Sequence, residues 1–86
     1  MGQNGRPVGK ATRALARAIR EAEGAADIST AELARRSSIP YSTLRKIRQG
    51  VQTIDYEEIA KIATALGLSA AELAAQAEAN ESSDHP

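Results

Sequence analysis

Residues 29–50, STAELARRSSIPYSTLRKIRQG, decide the fold of this chain of 86 residues, because they hold two short helix patterns separated by a turn. Ser29 and Glu32 have the S-x-x-E spacing of a capping box, which satisfies free amide groups at the start of a helix. The serines that follow Arg36 favour a turn, and Pro40 suits the first turn of the next helix. The stretch therefore predicts one helix that ends near Arg36 and a second that follows at once.

The second predicted helix has an apolar side and a polar side. Leu44 and Ile47 are separated by one helical turn, so both lie on one face and can pack inward. Gly50 ends the helix, because glycine adopts without steric cost the left-handed conformation that closes many helices. The remaining side chains are hydroxyl, aromatic and cationic groups: Tyr41, Ser42, Arg45, Lys46 and Arg48. This arrangement describes a helix-turn-helix unit, whose second helix lies in the major groove of DNA.

A longer helix is predicted before this unit, over residues 10–23. Leu15, Ile19 and Ala22 form its apolar stripe. A connection over residues 24–27 follows, because Gly24 breaks the pattern. A neighbouring stripe is basic and suits the phosphate backbone of DNA: Lys10, Arg13, Arg17 and Arg20.

Two further helices are predicted after the unit. Asp55 with Glu58 and Ser69 with Glu72 repeat the capping pattern at their starts. Gly67 separates them, and they end near residues 66 and 79.

Residues 29–73 resemble the phage-repressor and Cro type of helix-turn-helix domain, which has the lambda-repressor-like fold. The run over residues 59–73, IAKIATALGLSAAEL, is similar to the family's fourth helix, its glycine break and the start of the fifth. The resemblance implies an all-α, compact five-helix domain that binds DNA. Within the unit, these residues stand at the family's spacing: Leu33, Ala34, Ile39, Ser42, Thr43, Leu44, Ile47 and Gly50.

The expected organisation is a flexible arm over residues 1–9, the helix-turn-helix domain over residues 10–79 and a polar, disordered tail over residues 80–86. Arg6 in the arm and Lys10 just after it are candidates for the minor groove. An arm without function is an equally good interpretation.

The resemblance also implies which side chains read bases. Tyr41, Ser42 and Lys46 match the base-reading positions of phage repressors, and Arg45 lies beside them. Arginine binds guanine through two hydrogen bonds, whereas lysine acts as a less directional charge. The alternative for Tyr41 is a ring that packs over the turn.

Contacts to phosphate are expected from Thr30 at a helix N-terminus, from Thr43, from Gln52 in the following loop and from Arg17. These contacts set the register on DNA without reading sequence. Family members often carry glutamine where Thr30 stands, which is a departure from the pattern.

Arg48 is a second departure, because many relatives have there an acid that pairs with an arginine matching Arg20. Two arginines cannot form that pair. Either Arg20 pairs with Glu57 or Glu58, or Arg48 turns outward to phosphate. The second arrangement is favoured.

Charge is segregated along the chain although its net value is zero. Residues 1–50 hold ten Lys or Arg against four Asp or Glu, and residues 51–86 hold one against seven. The two halves therefore carry +6 and −6. This pattern favours a basic contact face backed by an acidic side, with ordinary solvated helix faces as the alternative.

No catalytic function is expected. The chain has no cysteine, and its one histidine, His85, has no second ligand or nucleophile to complete a site. Without a glycine-rich phosphate loop, neither a cofactor nor an enzymatic activity is expected. No apolar run approaches ~20 residues and no signal-like segment is present, so a cytoplasmic protein that does not contact membranes is expected.

The predicted function is binding to an operator in double-stranded DNA as a transcriptional regulator, most often a repressor. Two copies are expected on half-sites ~34 Å apart, or a multiple of that distance. By the resemblance, a weak homodimer forms through the fifth helix, where Leu68, Leu73 and Ala77 are shared. The alternatives are activation through RNA polymerase, an antitoxin that covers a toxin partner, and a module that binds an acidic protein.

Overall fold

The computed structural model describes residues 9–83 and consists there of five helices. No strand occurs in this part of the chain, so the predicted all-α, five-helix fold is confirmed. Within residues 9–83, each helix is too short or too polar to span a lipid bilayer. The helices are α1 (Lys10–Ala26), α2 (Thr30–Ser37), α3 (Tyr41–Gln49), α4 (Tyr56–Ala65) and α5 (Ala70–Ser83).

All five helices contribute to one apolar core. Leu44 and Ile47 are completely buried, as their spacing on α3 predicts. Burial of each such side chain contributes roughly 1.5–3 kcal/mol to folding. The large side chains that are almost wholly inaccessible to solvent are Ile19, Leu33, Leu44, Ile47, Ile62 and Leu73.

The connection between α2 and α3 is a tight turn. Ser38 has a left-handed backbone with φ of 60°, and its amide bonds to the carbonyl of Ala34. Ile39 is buried in the core, and Pro40 is the N-cap of α3 in an extended conformation. The predicted helix-turn-helix unit is therefore present.

Gly50 ends α3 with φ of 75°, as the sequence predicts. A Cβ atom at this position would lie 3.5 Å from the side chains of Ala16 and Arg13 on α1. The end of α3 therefore lies close to α1.

Helix α1 is longer than predicted. It continues through Gly24 to Ala26, where a connection was expected over residues 24–27. Asp27 closes it in the left-handed conformation, with φ of 57° and its amide bonded to the carbonyls of Glu23 and Gly24. A glycine inside a helix costs only about 1 kcal/mol relative to alanine, which packing against another helix can offset.

Helix α5 also continues past its predicted end. The expectation of a disordered tail from residue 80 is wrong for residues 80–83, which are the last turn of α5. Asn80 is buried, and its Nδ2 donates to Glu21 Oε1 on α1 at 3.3 Å. Residues 84–86 lie outside the described part of the chain.

The predicted helix starts are present, with one difference. The capping boxes of Asp55 with Glu58 and of Ser69 with Glu72 are complete in both directions. Ser29 caps α2 by accepting from the amide of Glu32 at 3.1 Å. The carboxylate of Glu32 does not complete that box, because it pairs with arginines of its own helix.

Candidate nucleic-acid interface

Helix α3 presents a continuous polar face to solvent. At 100° per residue, the side opposite Leu44 and Ile47 carries four exposed side chains. We call this set the reading face: Ser42, Arg45, Lys46 and Gln49. The fold thus exposes three of the four predicted base-reading residues on one side of one helix.

Gln49 is a member of this face that the sequence interpretation missed. It follows Ser42 by two helical turns and lies one turn beyond Arg45 and Lys46. The periodicity that placed Leu44 on the inner face would have placed Gln49 on the outer one.

Tyr41, the fourth predicted base reader, lies at the edge of the reading face. Its side chain is half exposed at the start of α3. The guanidinium carbon of Arg45 lies 6.0 Å from the centre of the Tyr41 ring. This separation suits a cation–π contact, which limits the directions in which Arg45 points.

The predicted phosphate contacts lie on several elements. Thr30 is the first residue of α2, Thr43 lies at the side of α3, and Gln52 follows Gly50 in the loop. All three are half-buried, whereas Arg17 is exposed on α1 with its Nε 3.3 Å from Glu21 Oε2.

Of the two predicted minor-groove contacts near the N-terminus, the structure describes one. Lys10 is the exposed first residue of α1. Arg6 lies outside the described residues.

The prediction that Arg48 turns outward to phosphate is wrong. Arg48 turns inward rather than toward phosphate, and its Nε donates to Glu23 Oε1 on α1 at 2.8 Å. Arg20 binds neither Glu57 nor Glu58; its Nη1 donates to the backbone carbonyl of Arg48. The acid that pairs with Arg48 is therefore Glu23, which lies three residues after Arg20 on α1.

Glu23 is buried, and its second carboxylate oxygen has no hydrogen-bond partner. Burial raises the pKa of Glu23, while the charges of Arg48 and Arg20 and the hydrogen bond from Arg48 oppose that rise. The ionised pair is thus held in surroundings that disfavour charge.

Glu32 on α2 is a half-buried acid whose partners differ from those of Glu23. Its carboxylate accepts from Arg36 Nε at 2.6 Å and also pairs with Arg35. These hydrogen bonds lower the pKa of Glu32. Its partners belong to α2, so this cluster connects no two helices.

Two exposed apolar or aromatic side chains lie between the end of α3 and the start of α4. Val51 is 59% exposed and Tyr56, the first residue of α4, is 73% exposed. Neither residue belongs to a site predicted from the sequence. Both extend the exposed surface from the end of α3 to the start of α4.

The predicted dimer surface on α5 is wrong in part. Leu73 is completely buried and Ala77 is nearly so, because both pack in the core of their own chain. They are not available to a second copy. Leu68 is half-buried at the start of the segment that leads into α5.

The part of the chain over residues 9–83 contains no cluster of three or more side chains suited to hold a metal ion. The hydroxyl, amide and cationic groups of the reading face are instead suited to hydrogen bonds with base edges and phosphate oxygens.

Comparison with known proteins identifies this arrangement. The family of Cro/C1-type HTH DNA-binding domains matches residues 18–76, which include α2, α3 and α4 in full. No curated protein matches the chain.

Two crystal structures of the clp gene regulator ClgR from Corynebacterium glutamicum are similar to the fold. One has a TM-score of 0.81 at 25% identity and covers 88% of this chain and 81% of that chain. The other has a TM-score of 0.75 at 26% identity, with 80% of this chain and 90% of that chain covered.

Proposed function

Because this chain belongs to the Cro/C1-type helix-turn-helix DNA-binding family, we propose that it is a repressor that recognises an operator by inserting α3 into the major groove. The family and the fold are those of DNA-binding transcription regulators and not of enzymes.

The observation that carries the proposal is the reading face of α3. The buried side chains Leu44 and Ile47 fix the helix from behind, so its opposite side is free to meet base edges. Arg45 suits the two acceptors of guanine, and Gln49 suits the donor and acceptor of adenine. Ser42 and Lys46 add shorter and less directional contacts, and Tyr41 supports Arg45.

Contacts to phosphate hold α3 in the groove. Thr30 at the start of α2, Thr43 on α3 and Gln52 in the next loop supply neutral donors around the reading face, and Arg17 adds charge from α1. Lys10, the exposed first residue of α1, adds charge to this surface, and Arg6 is proposed as a contact in the minor groove. Arg48 is not among these contacts, because it is paired with Glu23.

Two copies bind one operator in this proposal. A single domain contacts few base pairs, and the longest dimensions of the described chain, 34 and 31 Å, are close to one turn of DNA. Two copies therefore fit on one side of the duplex with their α3 helices in successive major grooves. A repressor placed over a promoter acts by excluding RNA polymerase.

Selection of bound duplexes from a random DNA pool tests the proposal, followed by titration of the selected operator over a salt series. We expect a two-fold-symmetric site and an affinity that falls steeply with salt, as phosphate contacts require. Transcription in vitro from a promoter that carries the site should then decrease. Absence of any enriched site would contradict the proposal, and increased transcription would indicate an activator.

A further inference from the structure

Three charged side chains connect α1 to the end of α3. Arg48 donates to Glu23 at 2.8 Å, and Arg20 donates to the carbonyl of Arg48. Glu23 and Arg20 belong to α1, so both bonds cross from one helix to the other. The reading face ends at Gln49, the residue next to Arg48.

Stability alone does not explain this arrangement. Glu23 is buried, and one of its carboxylate oxygens lacks a partner. Removing two charges from water is costly, and a buried ion pair replaced by apolar residues of similar volume often leaves a protein equally or more stable. Burial of the Glu23–Arg48 pair therefore costs free energy, and the apolar core does not require the pair.

The Glu23–Arg48 pair restrains the orientation of α3. Leu44 and Ile47 anchor α3 through apolar contacts, which depend little on orientation. A hydrogen bond between charged groups depends strongly on distance and angle. Since Arg48 lies on the side of α3 next to α1, the pair opposes rotation of α3 about its axis, and such rotation would turn Arg45 and Gln49 away from the bases.

We propose that Glu23, acting through Arg48, is a positioning residue that sets the orientation of α3 and thereby determines DNA specificity rather than the stability of the fold. This inference rests on the proposed function. Arg20 completes the arrangement by holding the carbonyl of Arg48.

The test uses the full chain and the double variant Glu23→Met/Arg48→Met, which removes both charges, keeps the net charge and leaves apolar groups of similar length. The ratio of affinities is measured for the operator selected with the wild-type chain and for a scrambled duplex of the same composition. Thermal unfolding is measured on the same samples. The matched control is Glu32→Gln/Arg36→Gln, which removes an exposed ion pair within α2.

We expect the double variant to unfold at the same or a higher temperature than the wild type, while its ratio falls about tenfold or more, comparable to one mismatched base pair. The control should keep the wild-type ratio. A double variant that fails to fold, or that keeps the ratio, would overturn the inference. A wild-type chain that does not discriminate between the duplexes would instead contradict the proposed function.

The single variant Glu23→Gln gives a second measure, because it keeps the shape of the side chain and one acceptor for Arg48. We expect a smaller fall in the ratio than in the double variant. An equal or larger fall would show that charge rather than orientation is the important property, and would overturn the inference.

Discussion

Arg45 is the residue on which sequence recognition depends most in the proposed function. It is exposed on the reading face, and its guanidinium group lies over the ring of Tyr41. A ring at that distance restrains a flexible side chain before DNA arrives, which reduces the entropy lost on binding. Arg45 therefore suits a directional contact to a base.

Arg45→Ala should abolish the preference for one base pair of the operator, at a cost of roughly 1 to 3 kcal/mol for that sequence. The measurement is a mobility shift with the operator and its single-base variants. Arg35→Ala is the matched control, because it removes the same charge from an exposed position on α2. Equal weakening on every sequence would place Arg45 on phosphate instead.

Glu23 should give the free energy of unfolding a pH dependence of defined sign. Burial raises its pKa above the ordinary value of 4.5, despite the attraction of Arg48 and Arg20. The folded chain therefore binds this proton more tightly than the unfolded chain. The stability that Glu23 contributes is present below pH 4.5 and is lost as pH rises through its folded pKa.

Urea unfolding of the wild type and of Glu23→Gln over a pH series measures this effect. We expect the stability of the wild type, relative to the variant, to fall as pH rises through that window. Glu32→Gln is a control of opposite sign, because hydrogen bonds from Arg36 and Arg35 lower the pKa of Glu32 and its contribution is lost as pH falls. A difference for Glu23 that rises with pH would contradict the prediction.

The partner of Arg48 shows what sequence reasoning at the residue scale could not supply. The exposed cations of α3 follow from periodicity within nine residues. The Glu23 contact joins residues 25 positions apart, so it depends on how α1 crosses α3. The family resemblance showed that Arg20 and Arg48 cannot pair with each other, but Glu57 and Glu58 were the only partners expected for Arg20, and Glu23 was not considered.

At the scale of helices, starts were easier to predict than ends. Asp55 and Ser69 cap their helices through side chains three residues away, which is local information. The ends of α1 and α5 depend on the contact between those two helices, which packs them together more extensively than any other pair in residues 9–83. Gly24 and the polar residues from Asn80 onward therefore led to predicted ends of α1 and α5 that lie too early in the chain.

Asn80→Asp tests the last turn of α5. Asn80 is buried and donates to Glu21, so an aspartate there would lose the donor and place two negative charges together. We expect a loss of about 1 to 3 kcal/mol in the free energy of unfolding. Ala79→Asp adds the same charge at an exposed neighbouring position and should have a smaller effect. Equal stability of both variants and the wild type would support the disordered tail instead.

At the scale of the whole molecule, the segregation of charge follows the fold. The basic first half supplies α1, α2 and α3, and the acidic second half supplies α4 and α5. An uneven charge of this kind orients a protein as it approaches DNA, so that the basic side arrives first. This feature could be predicted from sequence because it needs only the order of the charges along the chain.

The arrangement of two copies on DNA can be tested by changing the distance between half-sites. The longest dimension of the described chain is 34 Å, close to one turn of DNA, so two copies can touch side by side when adjacent half-sites face the same side of the duplex. Insertion of about 5 base pairs rotates one half-site to the opposite side, and insertion of about 10 restores its direction at a greater distance.

If the bound copies touch each other, mobility-shift titration should show a single cooperative step on the selected operator and two separate steps after either insertion. That result would show that the two copies contact each other only when they occupy adjacent half-sites. Cooperative binding that survives the longer insertion but not the shorter one would require a flexible connection between copies. Independent binding at every spacing would mean that specificity comes from two unlinked domains, each relying on its own reading face.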